Sequence, residues 1–180
     1  MGWIIWLIIA CEIGFWIFII TGLFARYILK KEKLGFFLLA MTPLVDLILL
    51  ISAGVDMYRG ATATIAHALA AIYIGVSIGF GKSMIEWADV RFKHYIAKTG
   101  PKPEKLYGLK FAKHNLRGWV RHVISYIIGA GLIGILYFTI NDIKRTEALV
   151  QVLRVWTFVL VIDLIICITD FIFPKKPKTN

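Results

Sequence analysis

Apolar residues in this chain run on almost without interruption, in five long stretches joined by three short polar links and one long one. The stretches cover residues 3–29, 34–54, 61–81, 119–140 and 148–173. A helix crossing the hydrocarbon core takes about 20 mostly apolar residues, and every backbone polar group in lipid must be satisfied within the fold. The pattern therefore predicts an all-α polytopic membrane protein, a bundle of five transmembrane helices. The tight links at residues 30–33 and 55–60 make their flanking helices antiparallel neighbours. Trp3, Trp6, Tyr27, Tyr58, Trp119 and Tyr137 fall near stretch ends, where amphipathic rings prefer the headgroup layer.

Composition agrees and narrows the organisation. Hydrophobic residues make up 59% of the 180 and mean hydropathy is +0.75, well above the roughly 45–50% of soluble domains. Five spans leave no room for a separate soluble domain, so residues 1–180 read as a single transmembrane domain. Its longest polar part is a basic loop at residues 82–118. The first residues lack the basic region of a cleaved signal peptide, so the first span is expected to stay in the mature protein. Cys11 and Cys167 lie inside apolar stretches with no CxxC spacing and read as buried thiols.

Charge predicts orientation. Lys30, Lys31 and Lys33 follow the first span, ten Lys or Arg residues run from Lys82 to Arg121, and Lys175, Lys176 and Lys178 close the chain. With five alternating spans these segments share one side, facing only Arg59, Lys144 and Arg145 on the other. Lys and Arg mark the cytoplasmic side. The expectation is a multi-pass protein of the cell membrane with its N-terminus outside and C-terminus cytoplasmic. The net charge of +10 is then topology rather than a nucleic-acid footprint. Its expected partners are the bilayer and anionic lipid at the cytoplasmic face.

Polar residues inside the stretches carry the candidate chemistry. Glu12, Asp46, His67, Arg154 and Asp163 sit where a lipid-facing charge would cost on the order of 2.5–3.5 kcal/mol. At about 1.5 Å of rise per residue, Glu12 and Asp46 lie roughly 13 Å below the outer ends of their spans, and His67 and Arg154 about 9 Å below theirs. Asp163 lies about 13 Å deeper than Arg154. His67 falls on a stripe with Ala63, Ala71, Gly75, Gly79 and Ser83, small residues that let membrane helices approach closely. Pro43 frees a backbone carbonyl near position 39, one turn before Asp46. In the last span Trp156, Asp163 and Asp170 share a face. Ser125, Gly129, Ala130 and Gly134 form a second small-residue face, on which either a second copy packs, giving a homodimer, or the stripe of the third span does.

Two chemistries fit the intramembrane set. A structural ion pair of Arg154 with Glu12 or Asp46 would only fix helix register. A ligand or proton site would use the carboxylates and imidazole as relay or cation-binding groups; His and carboxylate also suit a divalent metal. No cofactor is expected: a b-type haem needs paired ligands at one depth, whereas His67 is near the outer face and His122 near the inner. HExxH and GxSxG signatures are absent, and no enzyme chemistry is read. In the loop, Glu86, Asp89, Lys93 and Lys98 alternate with apolar residues at helical spacing, so the third span continues past the membrane or becomes an interfacial helix. Gly100-Pro101-Lys102-Pro103 ends it, and residues 104–115 read as a second short helix. Lys82, Arg91, Lys93 and Lys98 are the candidate lipid or partner contacts.

Two resemblances add to this reading. Cys11-Glu12-Ile13-Gly14 resembles the first-span Glu-Ile-Gly of small multidrug resistance exporters, but the long loop and fifth span depart from that family. Over the whole chain, carried by Trp87-Ala88-Asp89-Val90-Arg91-Phe92-Lys93-His94-Tyr95 and Thr99-Gly100-Pro101-Lys102-Pro103-Glu104, the sequence resembles the YmcC-type small membrane proteins of Bacillus-like bacteria. That resemblance implies a membrane protein and brings no catalytic residues. The expected function is proton-linked transport or export of a small cation. The alternative is a non-catalytic accessory or scaffolding protein acting through the basic loop.

Overall fold

The computed structural model describes residues 2–95, 98, 101–102 and 104–176. The regular elements in these residues are all helices: α1 (Gly2–Tyr27), α2 (Glu32–Ala40), α3 (Thr42–Tyr58), α4 (Ile65–Tyr95), α5 (Gly108–Ile140) and α6 (Ile143–Ile172). Five segments of these helices are long and apolar enough to cross a membrane, with α2 and α3 together forming one segment, Glu32–Tyr58. The five-span expectation is met.

Three boundaries differ from the apolar stretches. The second span breaks at Met41, because Pro43 sits in the first turn of α3 and supplies no N–H to the carbonyl one turn back. The Leu39 carbonyl left near the break accepts from the Thr42 hydroxyl at 2.8 Å. The third helix does not stop at residue 81 but runs on to Tyr95. The expected short helix at residues 104–115 is instead the start of α5, which is continuous from Gly108. Gly108 takes φ +59°, a left-handed turn that suits glycine, and its N–H donates to the Lys175 carbonyl at 2.8 Å.

The chain forms two compact units. The first comprises residues 1–74 and 128–153, and the second residues 75–127 and 154–180. In the first unit the core is built from Leu49, Leu50 and Met57 of α3, alanines 68, 70 and 71 with Ile74 of α4, Ile133 of α5 and Leu149 of α6. Gly35 lets α2 lie directly on α1, since a Cβ there would come 2.5 Å from the Arg26 Cβ and 2.7 Å from the Gly22 carbonyl oxygen. Asp142 caps α6 by accepting from the N–H groups of Lys144 and Arg145 at 3.0 and 3.2 Å. The Arg145 guanidinium reaches back to the carbonyls of Met57 and Ala61, and the Ala63 N–H donates to the Arg145 carbonyl at 2.8 Å.

In the second unit α4 and α5 meet at Gly79, where a Cβ would overlap the Ser125 hydroxyl and stand 2.8 Å from the Arg121 carbonyl oxygen. Ser125 is fully buried there. The Ser125 end of the small-residue face of α5 therefore packs on the stripe of α4 within one chain. Large apolar side chains such as Trp6, Phe138 and Phe158 are well exposed, as lipid-facing positions of a membrane protein should be.

Candidate functional site

Asp46 sits in α3 one turn after Thr42 and is 4% exposed. Its Oδ2 is buried and finds no hydrogen-bond partner among the described residues. A buried carboxylate oxygen without a partner is costly in either protonation state. Asp46 lines a cavity of about 100 Å³ in the first unit. The other walls are Cys11, Phe15 and Trp16 of α1, Leu49 of α3, and Ala66, Leu69, Ala70 and Tyr73 of α4. Phe15 stacks on Tyr73, with centroids 6.1 Å apart and planes 18° from parallel, and meets Trp16 edge-on at 5.8 Å. Among the described residues, the cavity thus has one acidic residue, Asp46, on its wall and a cluster of three aromatic rings beside it.

His67 is also buried, at 4% exposure, but its chemistry is turned to the backbone. Its Nδ1 accepts the Thr64 backbone N–H at 3.0 Å, and the His67 backbone N–H donates to the Thr64 carbonyl at 3.1 Å. That exchange closes the entry to α4. Ala66, its neighbour in sequence, lines the cavity. Glu12 lies on α1 next to Cys11, another lining residue, but its side chain is outside the described residues.

Arg154 and Asp163 belong to the second unit. Arg154 is exposed. Asp163 instead meets His122, its Oδ2 lying 3.0 Å from Nδ1. The other imidazole nitrogen, Nε2, accepts the indole N–H of Trp156 at 3.0 Å. An acceptor at Nε2 assigns the proton of the neutral ring to Nδ1, where it donates to Asp163. Phe80 contacts the same ring at 6.4 Å. Further along, Asn115 donates to Asp170 Oδ2 at 2.6 Å, and Tyr126 and Thr157 share a 2.7 Å hydrogen bond. A second cavity of about 290 Å³ is lined by His114, Asn115, Asp163 and Cys167 with Phe80, Gly118, Trp119 and Ile166. Among the described residues, no three His, Cys, Asp or Glu side chains group as a metal site.

His122 is the member that depth counting along the spans passed over. A better signal was present: the turn at Asn141 and Asp142 pairs α5 with α6 antiparallel, and His122 and Asp163 are nearly equidistant from it. Of the expected lipid or partner contacts, Lys82 and Lys98 are exposed, and the Arg91 guanidinium stacks 3.8 Å over the Trp87 ring. The Lys93 side chain lies outside the described residues, as do Thr99, Gly100 and Pro103.

No family model matches the chain, and no solved structure does. Over 181 aligned residues the sequence is 53% identical to the Bacillus subtilis (strain 168) protein called Uncharacterized membrane protein YmcC, covering 100% of this chain and 97% of that relative. Identity of that degree over nearly the full length of both chains, with five membrane-crossing segments in this one, shows the family: the chain belongs to the YmcC family of small integral membrane proteins.

Proposed function

We propose that this protein moves a small cation across the cell membrane in exchange for protons, with Asp46 as the group that holds the cargo. One observation carries the reading: Asp46 lines a cavity, and its buried Oδ2 has no hydrogen-bond partner among the described residues. A structural ion pair would occupy that oxygen. A transport site leaves it for a positive charge that comes and goes, so that the carboxylate holds either a proton or a cation. Glu12 adjoins the lining residue Cys11 in sequence and is the group through which protons would reach Asp46, whereas His67 holds the backbone of Thr64. The orientation that goes with this reading puts the N-terminus outside and the C-terminus in the cytoplasm.

The test is flux in proteoliposomes. A pH gradient across vesicles holding the wild-type protein should dissipate faster when tetraethylammonium or a related ammonium ion is added on one side. Asp46→Asn should remove the ammonium-dependent part while leaving reconstitution unchanged. A pH gradient that decays equally with and without cation, for every ammonium ion tried, would set the transport reading aside.

A further inference from the structure

The cavity beside Asp46 is not evenly enclosed. Its interior positions are buried: Asp46 is 4% exposed, Leu49 9% and Ala70 1%. Its rim is not, because Trp16 is 61% exposed and Tyr73 46%. Both rim residues lie on membrane-crossing segments, Trp16 within Ile9–Tyr27 and Tyr73 within Ile65–Ala88, so the surface they present is toward lipid. Asp46 itself is near the middle of its segment, Glu32–Tyr58, far from either aqueous end. The shortest way to the carboxylate is therefore sideways, past aromatic rings, from the hydrocarbon.

From this arrangement we infer that the site takes an amphiphilic organic cation, an ammonium head carrying an alkyl or aryl body, which enters laterally from the bilayer between α1 and α4. The ligand class follows from the walls. The ammonium meets the Asp46 carboxylate, and the rings of Phe15, Trp16 and Tyr73 attract a cation through the ring quadrupole. A volume of about 100 Å³ holds a small head group only, so the body of the ligand stays at the rim between Trp16, Tyr73 and lipid tails. A hydrated inorganic cation matches neither the apolar walls nor the lipid-side opening. The inference rests on Asp46 being a cation site and adds to it the chemistry of the cargo and its route.

Equilibrium binding to the full-length protein in lipid nanodiscs separates the two claims, with tetramethylammonium and dodecyltrimethylammonium as probes and empty nanodiscs subtracted. The amphiphile should bind saturably and at least tenfold more tightly than tetramethylammonium, and Asp46→Asn should abolish that binding. Trp16→Leu and Tyr73→Leu should each weaken the amphiphile about three- to tenfold, the scale of one desolvated cation–π contact. A diazirine-bearing alkyltrimethylammonium, photolysed on the wild-type protein, should label Phe15, Trp16 or the stretch from Ala66 to Tyr73. This readout needs no variant to fold.

Equal, Asp46-dependent binding of both ammonium ions would overturn the lateral amphiphile route while leaving Asp46 as a cation site. Binding of neither ion, or binding unchanged by Asp46→Asn, would overturn both. Labelling spread over lipid-facing positions of all the helices, or exclusion of the amphiphile by a second copy seated on Trp16 and Tyr73, would also overturn the inference.

Discussion

The indole N–H of Trp156 donates to Nε2 of His122 at 3.0 Å, and that single bond assigns the imidazole proton to Nδ1, facing Asp163. Asp163, His122 and Trp156 thus form one continuous chain of hydrogen bonds. Its three members come from α5 and α6, so its role in this fold is to pin those helices in register.

Replacement of Asp163 tests that role. Asp163→Asn keeps an oxygen for the Nδ1–H to donate to, and should cost under about 1 kcal/mol. Asp163→Ala leaves a half-buried imidazole N–H unmatched and should cost about 1–3 kcal/mol. Trp156→Phe removes the donor to Nε2 and should fall between the two. Midpoints of denaturant unfolding in mixed micelles, followed by tryptophan fluorescence or helical circular dichroism, give the order.

Much of the architecture was legible because run length is a coarse signal that tertiary packing does not disturb. Five apolar stretches gave five spans, and Pro43 pointed to a freed carbonyl near position 39, though not to the break of the helix at Met41. The buried position of Asp46 was legible too, since a carboxylate in the middle of a span has few other places to go. The rest depended on contacts that single-span arithmetic does not contain. Depth from a span end, blurred by tilt, placed Asp163 beneath Glu12, Asp46, His67 and Arg154 with no partner at its own level, whereas α5–α6 register sets it against His122. Phe15, Trp16 and Tyr73 were invisible as cavity walls because aromatic residues in a span look the same whether they face lipid or a ligand.

Glycine substitutions should divide by contact rather than by helix propensity. At Gly35 and Gly79 an added Cβ meets backbone atoms of α1 and α5 respectively, atoms that cannot rotate away. Gly35→Ala and Gly79→Ala should each destabilise by about 1–3 kcal/mol, the scale of overpacking. Gly14→Ala and Gly131→Ala meet nothing within 4 Å and should be neutral or slightly stabilising. Thermal midpoints of the four variants in one detergent supply the comparison; equal losses at all four would contradict the packing described.

Arg145 ties the first turn of α6 to the connection between α3 and α4 through the Met57 and Ala61 carbonyls. Arg145→Ala should cost about 1.5–3 kcal/mol, the range for hydrogen bonds from a charged donor. Arg145→Lys should recover only part of that, because an ammonium lacks the planar fork that reaches two carbonyls at once. Lys144→Ala, at the exposed neighbour, should change stability by less than about 0.5 kcal/mol. The same unfolding assay decides, and an Arg145→Ala variant as stable as Lys144→Ala would remove Arg145 from the list of structural ties.

Orientation is the prediction with the widest consequences, since it decides which side of the membrane the basic connection between α4 and α5 faces. The links after the first, third and fifth spans hold the basic clusters, whereas Arg145 on the opposite side is held by backbone carbonyls. Counting only loop cations near span ends, the asymmetry favours a cytoplasmic C-terminus strongly. Alkaline phosphatase fused after Asp56 or Lys144 should therefore be active, and fused after Pro101 or at the C-terminus inactive, with green fluorescent protein giving the opposite pattern. Replacing Lys30, Lys31 and Lys33 by Asn should leave the arrangement unchanged, because the basic connection between α4 and α5 still anchors it. Inversion of the whole pattern by those three substitutions would mean that the first link, rather than the long loop, sets the topology.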